Sequence, residues 1–413
     1  MGIVVKKFGG TSVGDTDRIK NVARLVDRYL QENPDKKVVV VASAMSGETD
    51  RLIKLAKSCV PSPNPRELDQ IVATGEQVSV ALLAMALIEL GRPAKSFLAP
   101  QIGIETDERH TNARIQGIET ERINKEIAGG VIPVIAGFQG VNEDGDITTL
   151  GRGGSDTTAV AVAAAVKADC CYIYTDVEGV LTADPRIVKN AKFLKRIAHE
   201  EMLELASLGA KVLHPRSVDF ALRYDVPLVV LSTFNPGPGT WIVKEEELVE
   251  KPIISGITHR TDEVKLTILK LPKGIQSLST LFSLLGDEAI FIDMITQTGI
   301  VKDKTNISFT VPDEAWARTV SKLNSALSQL GADSIAVDRD IAKVSVVGVG
   351  MKSHTGVAAK VFAVLANEGI DVTMISTSDI KISVVVQRKY SELAVRALHE
   401  AFIDTAPTIQ IES

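Results

Sequence analysis

The chain reads as an α/β protein with a parallel-rich sheet sandwiched by helices, followed by two copies of a small α+β module. Three observations predict this. Short β-branched runs alternate with helical stretches through the first half. The cluster Asn235-Pro236-Gly237-Pro238-Gly239 then breaks the pattern. Beyond it, segments recur at offsets of about 75 to 80 residues.

In chain order, Gly2-Ile3-Val4-Val5-Lys6-Lys7 opens as a strand, because its apolar run is too short for a signal-peptide core. Val38 to Val41, Val131 to Ile135, Tyr172 to Tyr174 and Val226 to Leu231 read as further buried parallel strands. Asp15 to Leu30 and Arg66 to Leu90 read as helices between them. Ligands of such sheets sit outside the carboxyl ends of the strands, so the loops there carry the candidate chemistry. A domain boundary falls between Gly239 and Thr258, where the Pro/Gly cluster gives way to the charged stretch Lys244 to Lys251. Past it, Val264 to Ile268 corresponds to Ala342 to Val346, Phe291 to Thr296 to Ile370 through Ser376, and Asn306 to Phe309 to Lys381 through Val384. Each copy reads strand, loop, helix, strand, strand, helix. The expected domains are 1–245, 260–338 and 339–413.

Composition narrows the function classes. A chain of 413 residues exceeds one ordinary core. With 45% hydrophobic and 24% charged residues it is globular, and a net charge of −6 argues against a nucleic-acid surface. Three cysteines without metal-ligand spacing fit a reducing compartment. No run of 18 or more uncharged apolar residues offers a membrane span, and Lys6 stands where myristoylation needs Ser or Thr. The expectation is a cytoplasmic protein with no membrane or nucleic-acid partner.

The loops supply the chemistry. Lys7-Phe8-Gly9-Gly10-Thr11-Ser12 joins the first strand to a helix; its glycines let backbone approach a polyphosphate, and Lys7 adds a compact cation. It lacks the Walker A spacing. Gly151-Arg152-Gly153-Gly154-Ser155-Asp156-Thr157-Thr158 concentrates glycines that are costly to order unless the loop wraps a ligand, with Arg152 suited to a carboxylate. Asp156, Ser155 and Thr157 are equally good helix caps. Tyr174 to Val180 with Asp184-Pro185-Arg186 suits a nucleotide or two ordinary turns. Ser43-Ala44-Met45-Ser46-Gly47 and Thr74-Gly75-Glu76-Gln77 read as capping, turn or binding segments. His214 before Pro215 reads as structural.

Taken as an ordered set, Lys7 to Gly14, Ser43 to Thr49, Thr74 to Gln77, Thr149 to Thr157, Thr175 to Val180 and Asp184 to Arg186 resemble the aspartokinases over nearly the whole chain. The C-terminal copies resemble tandem ACT domains, with Val349 to Gly356 and Ile375 to Ser378 especially similar. The resemblance implies an amino-acid kinase fold. It also implies transfer of the ATP γ-phosphoryl to the side-chain carboxylate of L-aspartate, giving 4-phospho-L-aspartate, the first step toward lysine, threonine and methionine.

Carried over residue by residue, Lys7 and Asp156 are catalytic. Lys7, Gly9, Gly10, Ser12, Thr175, Asp176, Arg186, Lys211 and Val212 border ATP. Ser43, Thr49, Glu76, Arg152, Gly153, Gly154 and Ser155 hold aspartate. Mg²⁺ rides on nucleotide phosphates, with no metal held by side chains alone. Lysine or threonine, or both, act as feedback effectors. They would engage Lys273, Gly274, Ile275, Asp293, Met294 and Gln297 in the first copy and Thr355, Gly356, Val357, Ile370 and Asp371 in the second. A homo-oligomer through the ACT domains is implied, since no Met lies between Met202 and Met294 to start a separate regulatory chain.

Two departures stand out. Leu181 replaces the family's tyrosine, and Leu271-Pro272-Lys273-Gly274-Ile275-Gln276 replaces the usual first effector loop. The chain ends at Ser413 just after the second copy, so no appended homoserine dehydrogenase is expected. The rival readings are a same-fold kinase with another acceptor and a catalytically silent amino-acid sensor.

Overall fold

The computed structural model describes residues 2–210, 212–248, 252–299 and 303–405. Two compact units emerge: Met1–Leu181, Phe193–Ser207 and Lys211–Glu250 form the first, and Thr182–Lys192, Leu208–Ala210 and Lys251–Ser413 the second. The segments 182–192 and 208–210 therefore depart from the contiguous domain expected for residues 1–245. Ala183 and Val188 explain the first departure: they are buried in the second unit's core.

The first unit begins β1 (Ile3–Phe8), α1 (Thr16–Glu32), β2 (Lys37–Ala42), α2 (Glu48–Cys59), α3 (Pro65–Val72), α4 (Thr74–Glu89) and β3 (Ala94–Phe97). There follow β4 (Ile104–Thr106), β5 (Ile115–Ile118), α5 (Glu121–Ala128), β6 (Ile132–Ala136), β7 (Gln139–Val141) and β8 (Ile147–Thr149). It closes with α6 (Gly154–Ala165), β9 (Cys170–Thr175), β10 (Arg196–Ala198), α7 (His199–Ser207), α8 (Pro215–Tyr224), β11 (Leu228–Ser232) and β12 (Thr240–Val243).

The main sheet runs β10-β12-β11-β9-β1-β2-β6-β3. From β11 across to β3 every neighbouring pair is parallel, and β12 turns antiparallel to β11. The buried cores of β1, β2 and β6 explain their β-branched composition, since strands covered on both faces have no polar side. Helix α1 starts at Asp15, whose carboxylate accepts from the Arg18 amide at 2.8 Å. It buries Ile19, Val22, Ala23 and Val26, one stripe at helical spacing, against the sheet and α4.

The single helix expected over Arg66 to Leu90 is divided at Ala73, whose carbonyl accepts from the Gln139 side chain at 3.0 Å. The run Pro65–Glu89 is long and apolar enough to cross a membrane by length and composition, and half of its most apolar window is buried inside the fold. Val80, Leu83 and Leu87 account for that burial, packing as core against α1 and the sheet. Helix α6 is covered on most sides: nine of its residues are buried, which is why it is so rich in Ala and Val.

Strand alternation sends the two lysines of β1 to opposite faces. The Lys6 ammonium lies among Tyr29, Tyr172 and Tyr174, 3.7 Å from the Tyr29 ring centre and 2.9 Å from the Tyr174 hydroxyl. Burial pushes its pKa down to about 7. Lys7 points to the α6 face.

In the second unit, β13 (Gly256–Arg260) precedes β14 (Glu263–Pro272), α9 (Ile275–Asp287), β15 (Ile295–Gln297), β16 (Lys304–Pro312), α10 (Trp316–Leu330) and β17 (Ser334–Asp338). The second copy is β18 (Ile341–Val347), α11 (Val357–Asn367), β19 (Met374–Ser378), β20 (Lys381–Gln387) and α12 (Ser391–His399). Their sheets run β15-β16-β14-β17 and β13-β18-β20-β19. The repeated order expected from sequence is present in both, with one exchange. The first copy closes its sheet with its own β17, whereas the second takes β13, which lies ahead of the first copy. The second module is thus 256–260 together with 341–404, not one continuous segment. Buried Lys343 joins the copies, pairing with Glu263 on β14 at 2.5 Å and with Asp293.

Candidate active site

The site forms where β2, β1, β9 and β11 end side by side. Phe8 registers with Ala42 and Tyr174, and Ser232 with Thr175, so the loops starting at Gly9, Ser43, Asp176 and Thr233 leave from one edge. The Gly9 amide donates to the Tyr174 carbonyl at 3.2 Å and the Ser43 amide to the Phe8 carbonyl at 3.1 Å, holding these loops together. Gly10 lies against the β2 loop; a Cβ there would sit 3.1 Å from the Ala44 carbonyl oxygen.

Lys7, nearly buried, forms an ion pair with Asp156 at 2.5 Å. Asp156 lies in the first turn of α6, where a carboxylate also meets the positive end of the helix. The loop ahead of α6 carries Arg152, which is exposed and makes no ion pair among the described residues. Gly151 and Gly153 adopt φ of 75° and 70°, which turn the chain sharply on either side of it. Gly153 also lies flat against His214: a Cβ would meet the His214 Cβ at 2.3 Å.

Opposite, Glu76 in the first turn of α4 reaches the β2 loop, its Oε1 accepting from the Ala44 amide at 3.1 Å. Glu76 is only 3% exposed, and its Oε2 is buried with no hydrogen-bond partner among the described residues. Burial pushes its pKa up to about 8, with the Ala44 amide opposing. Ser79 binds the Ser43 carbonyl at 2.7 Å, tying the same helix to the same loop.

The first unit therefore places Lys7, Gly9, Gly10, Ser43, Thr175 and Asp176 at one edge of the main sheet, Glu76 on α4 bound to the β2 loop, and Arg152, Gly153, Gly154, Ser155 and Asp156 on the loop from β8 and the first turn of α6, where Asp156 pairs with Lys7. Thr49 follows in the first turn of α2. Others differ from the expectation. Ser12 is fully buried, its hydroxyl 2.6 Å from that of Thr233, so it ties the β1 loop to the β11 loop. Arg186 belongs to Thr182–Lys192 in the second unit, where its guanidinium pairs with Asp184 at 2.6 Å. Val212 is partly buried, and Lys211 lies outside the described residues.

In the second unit, Lys273 and Gly274 lead into α9 at Ile275, which is 80% exposed, and Thr355 and Gly356 lead into α11 at Val357. Gln297 ends β15, and Asp371 is exposed ahead of β19. Met294 and Ile370 are buried in hydrophobic clusters, so their side chains serve packing. Asp293 is already paired with Lys343.

Residues 2–232 match the amino acid kinase family, and residues 344–402 match the ACT domain. The chain is 53% identical to an aspartate kinase of Pseudomonas putida, over 100% of both chains. The chain belongs to the aspartokinases of the amino acid kinase family. Two solved structures of Escherichia coli aspartokinase III extend the match at 27% identity over 97% of this chain and 99% of that one. The R-state complex with aspartate and ADP has a TM-score of 0.83, and the T-state complex with lysine and aspartate 0.74.

For this aspartokinase, sequence reasoning missed three polar residues next to the Arg152 loop. His214, structural by its place before Pro215, packs on Gly153, and burial lowers its pKa against the opposing Asp156 carboxylate. Asp69 and Arg216 were not singled out, because single charged residues in amphipathic helices carry no local signal.

Proposed function

We propose that this chain transfers the γ-phosphoryl group of ATP to the side-chain carboxylate of L-aspartate, giving 4-phospho-L-aspartate and ADP. The observation that carries this reading is the Lys7–Asp156 pair, which ties the end of β1 to the first turn of α6, the helix entered by the loop bearing Arg152, unpaired among the described residues.

Two anions must meet for the reaction. Lys7, oriented by Asp156, neutralises charge on the transferring phosphoryl group. Arg152 offers a bidentate partner for one aspartate carboxylate. The free oxygen of Glu76, once ionised, suits the α-ammonium. The aspartate side chain is already ionised at neutral pH, so its oxygen attacks phosphorus without a general base. As the new O–P bond forms, the bond to the β-phosphate oxygen breaks and its electron pair leaves with ADP. Thr175 and Asp176, at the end of β9 beside Gly9, border the nucleotide. Asp156, the carboxylate beside Lys7, is already paired, so Mg²⁺ is carried mainly by the nucleotide's phosphates, where it offsets their charge.

The second unit acts as the regulatory part, answering lysine, threonine or both, and pairs with a second copy of the chain. The lysine-bound Escherichia coli neighbour supports lysine as an effector. A cytoplasmic location follows from this reaction.

A hydroxamate assay with aspartate, glutamate and acetylglutamate, each with Mg-ATP, tests the acceptor. Product with aspartate is expected; turnover only with another acceptor refutes the assignment. No ADP formation at saturating aspartate and Mg-ATP would favour the silent sensor.

A further inference from the structure

We propose that Asp69 and Arg216 are positioning residues for the acceptor loop, a buried anion and a half-buried cation that bracket the strand end leading to Arg152. This rests on reading Arg152 as a partner of the acceptor's carboxylate.

Asp69, on α3, is fully buried. Its Oδ1 accepts from the Thr149 hydroxyl at 2.6 Å. Its Oδ2 accepts from the Thr149 amide at 3.1 Å and the Thr111 amide at 2.9 Å, and lies 3.0 Å from His110 Nδ1. Arg216, on α8, treats the same two segments from the carbonyl side. Its guanidinium donates to the Leu150 carbonyl at 2.8 Å and to the Ala113 carbonyl at 2.6 Å. The Ala113 amide donates to the Thr149 carbonyl at 2.8 Å, which joins the two segments directly.

The anion thus takes N–H groups and the cation takes carbonyls of neighbouring residues, 111 with 149 and 113 with 150. This division of donors and acceptors matters because β8 ends at Thr149. From there the Leu150 amide still bonds the Phe138 carbonyl at 2.8 Å, but the path onward to α6 contains two glycines in the left-handed region. Thr111 itself holds φ of 66°, a conformation rarely adopted without a glycine, and its carbonyl oxygen lies 3.0 Å from where a Gly151 Cβ would be. The bracket sets the starting point and direction of the loop, and so the place from which Arg152 reaches out. Buried, fully hydrogen-bonded partners of this kind hold a binding group within the narrow geometry that recognition requires.

The test is steady-state kinetics in both substrates, with thermal melts, on Asp69→Asn, Arg216→Lys, Thr149→Val and Arg152→Ala. Asn at 69 turns an amide donor toward N–H groups, and Lys at 216 lacks the fork that spans two carbonyls. Asp69→Asn and Arg216→Lys should each raise KM for aspartate about tenfold or more while KM for Mg-ATP stays within about twofold. In an Arg152→Ala background the added effect of Asp69→Asn should largely vanish, because both act through one contact. A lower Tm with unchanged aspartate KM, an equal rise in both KM values, or full additivity with Arg152→Ala overturns the proposal. If Asp69→Asn does not fold, Thr149→Val and Arg216→Lys carry the same comparison. Should Arg152→Ala itself leave aspartate KM unchanged, the acceptor-site reading falls and the bracket with it. A large effect of Arg152→Ala without effects at 69, 149 and 216 rejects the bracket alone.

Discussion

Substituting Glu76 with Gln separates the charge of this carboxyl from its shape, and pH provides the matching perturbation in the unaltered protein. With a pKa of about 8, roughly 3% of Glu76 is ionised at pH 6.5 and roughly 76% at pH 8.5. If the aspartate ammonium binds only the ionised form, apparent affinity scales with that fraction. The KM for aspartate should then fall about 25-fold between pH 6.5 and 8.5 at saturating Mg-ATP. Glu76→Gln should show a high KM with no such slope. The same carboxyl links pH to stability. Its folded pKa lies above the usual carboxyl value, so the native state holds the extra proton, and stability contributed by neutral Glu76 is lost as pH rises from about 4.5 through 8. Glu76→Gln should therefore raise Tm relative to the unaltered protein at pH 8.5 more than at pH 5. Initial rates across aspartate concentrations at five pH values, with melts at the same points, read both effects. A flat aspartate KM over this range, or a Gln variant that keeps the slope, refutes the assignment of Glu76 to the ammonium.

Lys7→Ala should lower kcat by about three orders of magnitude or more with an unchanged circular dichroism spectrum, because it removes charge stabilisation at the transferring group; near-normal turnover rejects the role. Gly153→Ala should abolish detectable binding of aspartate by calorimetry, since the added Cβ meets His214 at 2.3 Å in a backbone of φ 70°. Lys343→Met removes the buried ammonium beside Glu263, leaving Arg260 at 3.6 Å, and takes away the partner of partly exposed Asp293; about 3 kcal/mol of destabilisation is expected in chemical denaturation, and a loss under 1 kcal/mol contradicts it.

The ordered motifs of the catalytic half were legible because each is local. A strand buried on both faces must be β-branched, a phosphate-facing turn needs glycine, and a helix entrance accepts Asp or Ser. Those constraints lie within a few residues of each other, so the segments holding Lys7, Arg152 and Asp156 stand out in the chain alone, whereas the roles given to those residues come from the resemblance to the aspartokinases. The repeat in the C-terminal half was legible for the same reason, as copies of one strand-and-helix pattern. What the tertiary structure decided depends on partners far apart in the chain. Ser12 meets Thr233, Asp69 meets Thr149, Arg216 meets Leu150, and β13 joins β18 across the whole first copy. The segment 182–192 joins the second unit through Ala183 and Val188, two unremarkable apolar residues. Periodicity tells which face of an element is buried, whereas the identity of the covering group is set by packing, and a lone buried charge leaves no pattern until its hydrogen-bond partners are folded around it.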